Sequence, residues 1–404
     1  MLENLKAGVE NIGKDSWTSL LKYTAILHEQ AIKAPFFNIQ YVWEEIAPGQ
    51  FEGGFLGGWD SLHIALDVLY FNPQHAKDQV MNILNLQTKE GLVPGYITID
   101  QNHAKYSQHV TSPPLWPIVL HEYLEYTGDL SIIAKGYIHL KEQIQWFETN
   151  RKAPGGGFYY LDITDKLCES GMEGAVRFSP SHEVKDKLAC IDASCHVLGL
   201  YDYAWKWSSF LGRGVKEWEE KSEALTYFIV ENLYCSQEGW FFDQWWMEQE
   251  NKPIGSEGLW ALLTGVASHK IAKRILTDKL MTEAYFLSPH PCISLINTDS
   301  SFDGLHWRGG ARNSMAMWMA RACVKYGYHQ MGQDFLERAL DCTAIHFEET
   351  GTLWEYYLAS GESPLEMFRY PNFQKKEPIH NHLGHNPLIA MALMWERLEK
   401  LGDA

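Results

Sequence analysis

Two glutamates four residues apart, Glu169 and Glu173, stand in the stretch Cys168-Glu169-Ser170-Gly171-Met172-Glu173, just after the glycine- and aromatic-rich segment Gly155-Gly156-Gly157-Phe158-Tyr159-Tyr160. No helical period runs through the stretch, so both carboxylates are expected on a loop, where they could transfer protons to a bound ligand or simply sit on a solvated turn. Three further stretches hold groups of matching chemistry. In Trp59-Asp60-Ser61 an acid beside an indole could bond ligand hydroxyls, although an Asp at a helix start also serves the helix dipole. In His306-Trp307-Arg308-Gly309-Gly310 an arginine adjoins an aromatic, as it would in either a binding site or a structural ion pair. In Trp354-Glu355-Tyr356-Tyr357 an acid lies between aromatics, which desolvate it and tend to raise its pKa unless it sits at their solvent edge.

Helices must position these groups. Apolar residues recur at helical spacing from Asp15 to about Lys33, and then in pairs: Trp59–Tyr70 with a helix from Asn72-Pro73 to about Leu86; Thr111–Tyr126 with Asp129–Phe147; and Ile191–Phe210 with Val215–Leu233. A weaker pair lies between Gly255 and Met281, another runs Ala311–Lys325 and Gln330–His346, and a last helix spans Asn386–Lys400. About twelve helices and almost no strand alternation make an all-α chain. Between them, Phe36 to Gly58 is too apolar for a linker and is expected to pack over something. After several pairs a glycine, an aromatic doublet and an acid recur: Gly157 to Asp162, Gly239 to Asp243, Gly351 to Tyr357. Hairpins that cannot bury both faces alone stack on neighbours. Six of them close into an (α/α)6 barrel with long aromatic loops over one mouth, with an open superhelix as the alternative.

Composition narrows the ligand. The chain of 404 residues has 16 Trp, 20 Tyr and 18 Phe, more than a core requires, and such aromatics line sites for the flat faces of sugars or bases. A formal charge of −17 disfavours nucleic acid. No run of about 18 apolar residues appears and Met1 to Lys6 lacks the marks of an export signal, so a soluble, cytoplasmic protein without a membrane partner is expected. Seven scattered cysteines suggest neither a disulfide framework nor a CxxC site.

Trp59-Asp60-Ser61, Thr111-Ser112-Pro113-Pro114, Glu169-Ser170-Gly171-Met172-Glu173, Trp307-Arg308-Gly309 and Trp354-Glu355-Tyr356-Tyr357 resemble, in order, the WDS, SQPP, ESGMD, WRG and acid-aromatic motifs of glycoside hydrolase family 63, which includes α-glucosidases and the mannosylglycerate and glucosylglycerate hydrolases. Trehalases of family 37 are close relatives, and Pro48-Gly49-Gln50-Phe51-Glu52 is similar to their PGGRF segment. The resemblance implies that residues 1–404 form one (α/α)6 glycosidase-like domain, needing no cofactor or metal, that cleaves a small α-glucoside or α-mannoside with inversion. The family's general acid falls on Glu173 and its general base on Glu355; Trp59, Asp60, Glu169, Trp307, Arg308, Trp354 and Tyr356 would hold the sugar. Two departures stand out: Glu173 replaces the usual Asp, and Gly174 the Asn that often follows. Arg177, Arg308 and Arg312 are available for an anionic aglycone such as glycerate.

Two other functions use the same toroid. A sugar epimerase or isomerase of the N-acylglucosamine 2-epimerase type would draw on His182, His306 and His382, and a non-catalytic carbohydrate-binding toroid needs no proton donor at all. His380, His382 and His385 lack an acid or cysteine to complete a metal set and are expected to edge the mouth. Met315, Met317 and Met319 read as helix packing, and Glu217, Glu219, Glu220, Lys221 and Glu223 as a solvated face.

Overall fold

The computed structural model describes residues 3–99, 104–163, 168–179, 187–367 and 379–402, and His182 lies outside them. A short α1 (Glu3–Gly8) precedes twelve helices: α2 (Thr18–Ala31), α3 (Asp60–Val68), α4 (Pro73–Leu84), α5 (Trp116–Thr127), α6 (Ser131–Asn150), α7 (Ile191–Phe210), α8 (Lys216–Leu233), α9 (Trp260–Thr264), α10 (His269–Ile275), α11 (Asn313–Lys325), α12 (His329–Thr350) and α13 (Leu388–Gly402). The odd members from α3 onward form an inner ring, in which α3 packs on α5, α5 on α7, α7 on α9, α9 on α11 and α13 on α3. Helix α12 bridges α11 and α13, and α2 lies outside α12 and α13. This is the (α/α)6 barrel.

Side-chain patterns explain which helices go inside. Every residue of α3 from Ser61 to Val68 is buried, as is every residue of α11 from Asn313 to Ala320, including the three methionines. Such helices are buried all round, their few polar side chains included. In α8 only Trp218, Leu225, Ile229 and Leu233 are buried, a single stripe, while Glu217 and Glu220 face solvent. Among the described residues no helix is long and apolar enough to cross a membrane.

Connections on the two ends differ. Turns from an inner to the next outer helix are short, such as Gly128 to Leu130 and Tyr326 to Tyr328, whereas outer-to-inner links are long. One of the long links carries strand Phe55–Gly57, which pairs with Tyr96–Ile99, itself paired with Ala104–Tyr106. This sheet was not expected, because each strand is too short to show alternation; Phe55 and Tyr96 stack across it with ring centroids 6.3 Å apart.

A buried charge cluster ties α2, α3 and α4 together. His28 Nδ1 lies 2.6 Å from Glu44 and Nε2 3.0 Å from Asp67, while His75 Nε2 meets the other oxygen of Glu44 at 2.7 Å. Burial opposes charge on His28, but the two carboxylates outweigh it and raise its pKa from 6.5 to about 10. Asp67, where burial wins, is pushed upward, and it also accepts from the Ala390 amide at the start of α13. Because the folded pKa is raised, the stabilisation from His28 is complete below pH 6.5 and disappears as pH climbs through about 10. Urea unfolding of His28→Gln should therefore show a deficit of about 3–5 kcal/mol at pH 6 that shrinks steadily toward pH 10.

Candidate active site

A cavity of about 560 Å³ opens at the mouth where the long links gather. Five links reach it: Phe55 and Trp59 from the one before α3, Tyr96 and Ser112 from the one before α5, Glu173 before α7, Trp307 before α11, and Glu355, His382 and His385 before α13, with Asp60 entering from the head of α3. Because all these links run from outer to inner helix, the topology alone puts them at one end.

Glu173 and Glu355 meet around one histidine. His306 Nε2 is 3.3 Å from Glu355 Oε1 and 3.7 Å from Glu173 Oε1. Those two oxygens are therefore no more than about 7 Å apart, the two distances laid end to end. Glu173 is the more accessible, its side chain 21% exposed against 6% for Glu355. Glycines shape the loop behind Glu173: Gly171 has φ +71° and a Cβ there would strike the Trp59 ring at 2.4 Å. Gly174, at φ 77°, occupies the left-handed region that glycine and asparagine both tolerate, so its replacement of Asn keeps the turn available.

Asp60 is wedged between two glycines, since a Cβ on Gly57 or on Gly384 would come within 2.3 Å of its carboxylate. Burial first, and then the charges of Glu355 and Glu173, raise its pKa to about 7. Beside it, Trp59 stacks on Trp307 with ring centroids 6.0 Å apart and planes 16° apart. The indole is held from below: His63 Nε2 accepts from Trp59 Nε1 at 3.0 Å and from Trp318 Nε1 at 2.9 Å. Its proton is thereby placed on Nδ1, which donates to the Gly384 carbonyl at 2.6 Å, and burial lowers its pKa to about 3. Trp307 also carries the Arg312 guanidinium, 3.5 Å from its ring centroid.

Trp59, Asp60, Glu173, Trp307 and Glu355 thus line the cavity, but four other expected sugar-holding residues do not. Glu169 is fully buried, with Arg151 forked onto it through Nε (2.8 Å) and Nη2 (2.9 Å) and with the amides of Thr111 and Leu161 donating as well. Its carboxylate staples the link before α5 to the link before α7. Arg308 turns outward to Asp303 at 2.9 Å and to the Ser301 carbonyl. Tyr356 is buried behind His306, and Trp354 packs toward His380 while donating to Thr350. Removing the Arg151 charge strands Glu169 in the interior, so Arg151→Met should lose about 3–5 kcal/mol in a urea melt at neutral pH.

Of the recurring acids, only Glu355 enters the cavity. Asp162 accepts from the Ser170 amide and Asp243 from the Ile191 amide, bracing the Glu173 loop and the start of α7. Arg177 is buried between Asp192 (2.5 Å) and Asp243 (3.2 Å), so it is not at hand for a substrate carboxylate. The same guanidinium occupies the one trio among the described residues with metal-like spacing, Cys190, Asp192 and Asp243. Under the hydrolase reading the sequence assigned His306 no part beside the glutamates and placed His382 and His385 at the edge of the mouth. The last two stack at 5.3 Å, with the His385 amide donating to His382 Nδ1 and with Ser314 at His385 Nδ1. The Nδ1 atom of each ring is thereby engaged by a protein group.

The sequence profile of the mannosylglycerate hydrolase MGH1-like glycoside hydrolase domain matches residues 56–366. Among curated protein sequences none matches. The family 63 mannosylglycerate hydrolase of Thermus thermophilus in complex with glucose superposes with a TM-score of 0.73, covering 93% of this chain and 99% of that one at 16% identity. The same enzyme with Tris and D-glycerate gives 0.70, with 95% and 100% covered at 15% identity. Neutral trehalase from Saccharomyces cerevisiae gives 0.69, with 89% and 74% covered at 15% identity. At such identities the solved structures speak for the helical toroid, and the profile, which spans most of the sequence, speaks for the family. The chain is a glycoside hydrolase and belongs to the mannosylglycerate hydrolase MGH1-like family.

Proposed function

We propose that the protein is an inverting glycosidase that removes glucose or mannose from a small α-glycoside, acting as one domain in the cytoplasm. The observation that carries this reading is the pair Glu173 and Glu355, presented to one cavity beside Trp59, Trp307 and Asp60. Glu355 takes a proton from water as the water attacks the anomeric carbon. Glu173, protonated, gives its proton to the departing oxygen, so that the water's oxygen ends on the sugar and the aglycone leaves as an alcohol. The Trp59 and Trp307 rings supply an apolar wall for a pyranose, and Asp60 accepts from or donates to its hydroxyls. Inversion needs carboxyls roughly 6.5–9.5 Å apart, and the limit of about 7 Å set by His306 overlaps only the short end of that range.

The Thermus relative's complexes with glucose and with D-glycerate make glucosylglycerate, mannosylglycerate and α-linked disaccharides the compounds to test. Glu52, Asp60, Glu173 and Glu355 line the cavity, and such acids repel a carboxylate on the ligand. An uncharged aglycone is therefore favoured over glycerate. Time-resolved proton NMR with matched α-glucosides and α-mannosides of glycerol and glycerate tests both points. The β-anomer should appear first, and the glycerol compounds should be turned over faster; initial release of the α-anomer would sink the acid and base assignment. An epimerase would need His306 facing a sugar carbon, whereas its Nε2 is turned to the two glutamates.

A further inference from the structure

His306 is fully buried and left-handed, with φ 43°, a conformation that a residue with a Cβ keeps only where its surroundings enforce it. Its carbonyl accepts from Arg312 Nη1 at 3.0 Å and Ser294 Oγ at 3.2 Å. Its ring meets Trp307 and Tyr356 edge to face, with centroids 6.3 and 5.8 Å away. Backbone and ring are both fixed, and together they aim Nε2 between two carboxylates. A bare lone pair there would be repelled by both, so the ring's proton belongs on Nε2. One N–H makes one good hydrogen bond. Glu355, at 3.3 Å, is the partner within range, and Glu173, at 3.7 Å, is beyond it.

We infer that His306 is the positioning residue that divides the labour between the two glutamates: its single Nε2 proton keeps Glu355 ionised and oriented as the base, and leaves Glu173 to hold the catalytic proton. The inference rests on the acid and base reading above. Other charged or titratable groups facing this point are Arg312 at the head of α11, Asp60 at the head of α3, and His385 before α13. Burial lowers the pKa of His306, so the ring stays neutral and orients Glu355 without forming an ion pair with either acid. A charged imidazolium would instead favour ionisation of both glutamates and leave no acid.

Carboxyl titration by NMR of the full chain labelled with ¹³C-glutamate tests this, the two signals being identified by their loss in Glu355→Gln and Glu173→Gln. In the wild type, Glu355 should titrate below Glu173. In His306→Phe, Glu355 should rise by about one pH unit and the acid limb of kcat/KM should move up with it. The same variant should lose roughly tenfold in kcat while KM stays within about threefold. His306→Gln, which keeps an N–H near the same point, should restore both limb and rate. The inference is overturned if Glu173 titrates below Glu355 in the wild type, or if Glu355 does not move in a folded His306→Phe protein. Should that variant fail to fold, the wild-type order decides alone. A wild type with the expected order that hydrolyses no α-glycoside would sink the substrate proposal and not this one.

Discussion

Glu355→Gln should abolish measurable hydrolysis of every α-glycoside, lowering kcat by about a thousandfold or more with little change in KM. The amide keeps the size of the carboxylate, and its oxygen can still accept from His306 Nε2, so the cavity keeps its shape. What is lost is the capacity to take a proton from water, and no leaving group compensates for an attacking water that stays protonated. Asp60 is the carboxylate best placed to substitute, yet it is held up to about 7 by burial and by the glutamates themselves. Removing the charge of Glu355 relieves part of that effect, so Asp60 should ionise more readily in the variant. If Asp60 then served as base, the residual activity would rise toward neutral pH and vanish in Asp60→Asn, Glu355→Gln. Activity within tenfold of wild type in the single variant would show that the base is elsewhere. Steady-state rates on an activated and an unactivated substrate, from pH 4 to 9, separate these outcomes.

The helices were legible because each carries its own period. The seam of α7, Ile191 to Phe210, was bounded correctly from sequence, and Asn72 caps α4 as its position before Pro73 suggests. The recurring glycine, aromatic and acid units also pointed correctly to hairpins that gather their loops. Roles within those loops were less readable, since an acid that meets substrate and one that braces a loop have the same neighbours in sequence. Glu169 and Glu173 show this. Four residues apart on one loop, they differ because Arg151, at the end of α6, lies within reach of one and not the other. Nothing local distinguishes Asp162 and Asp243 from Glu355 either; only the folded positions of Ser170 and Arg177 make the first two structural. Arg308 lies away from the cavity for the complementary reason: the tryptophan beside it faces the cavity, and the turn that presents Trp307 sends the next side chain outward to Asp303.

Glu173→Gln should divide substrates by leaving group. On an alkyl glycoside, whose oxygen cannot depart without a proton, kcat should fall by about a thousandfold; on a 4-nitrophenyl glycoside or a glycosyl fluoride it should fall by less than about tenfold. The basic limb of the pH profile should also flatten for the activated substrates, since that limb reports the acid's ionisation. Equal losses on both classes would mean that Glu173 supports the site without donating a proton. A second substitution bears on the length of this side chain. Glu173→Asp restores the residue that the family motif carries but withdraws the carboxyl by about a bond length, and a misplacement of roughly 1 Å can cost about a hundredfold. Here the loop is set by the left-handed glycines 171 and 174, with Gly171 lying against Trp59, so a shorter side chain leaves the carboxyl farther from the cavity. The aspartate variant should therefore lose activity on alkyl glycosides while retaining it on fluorides. That result would show the glutamate to be matched to this loop.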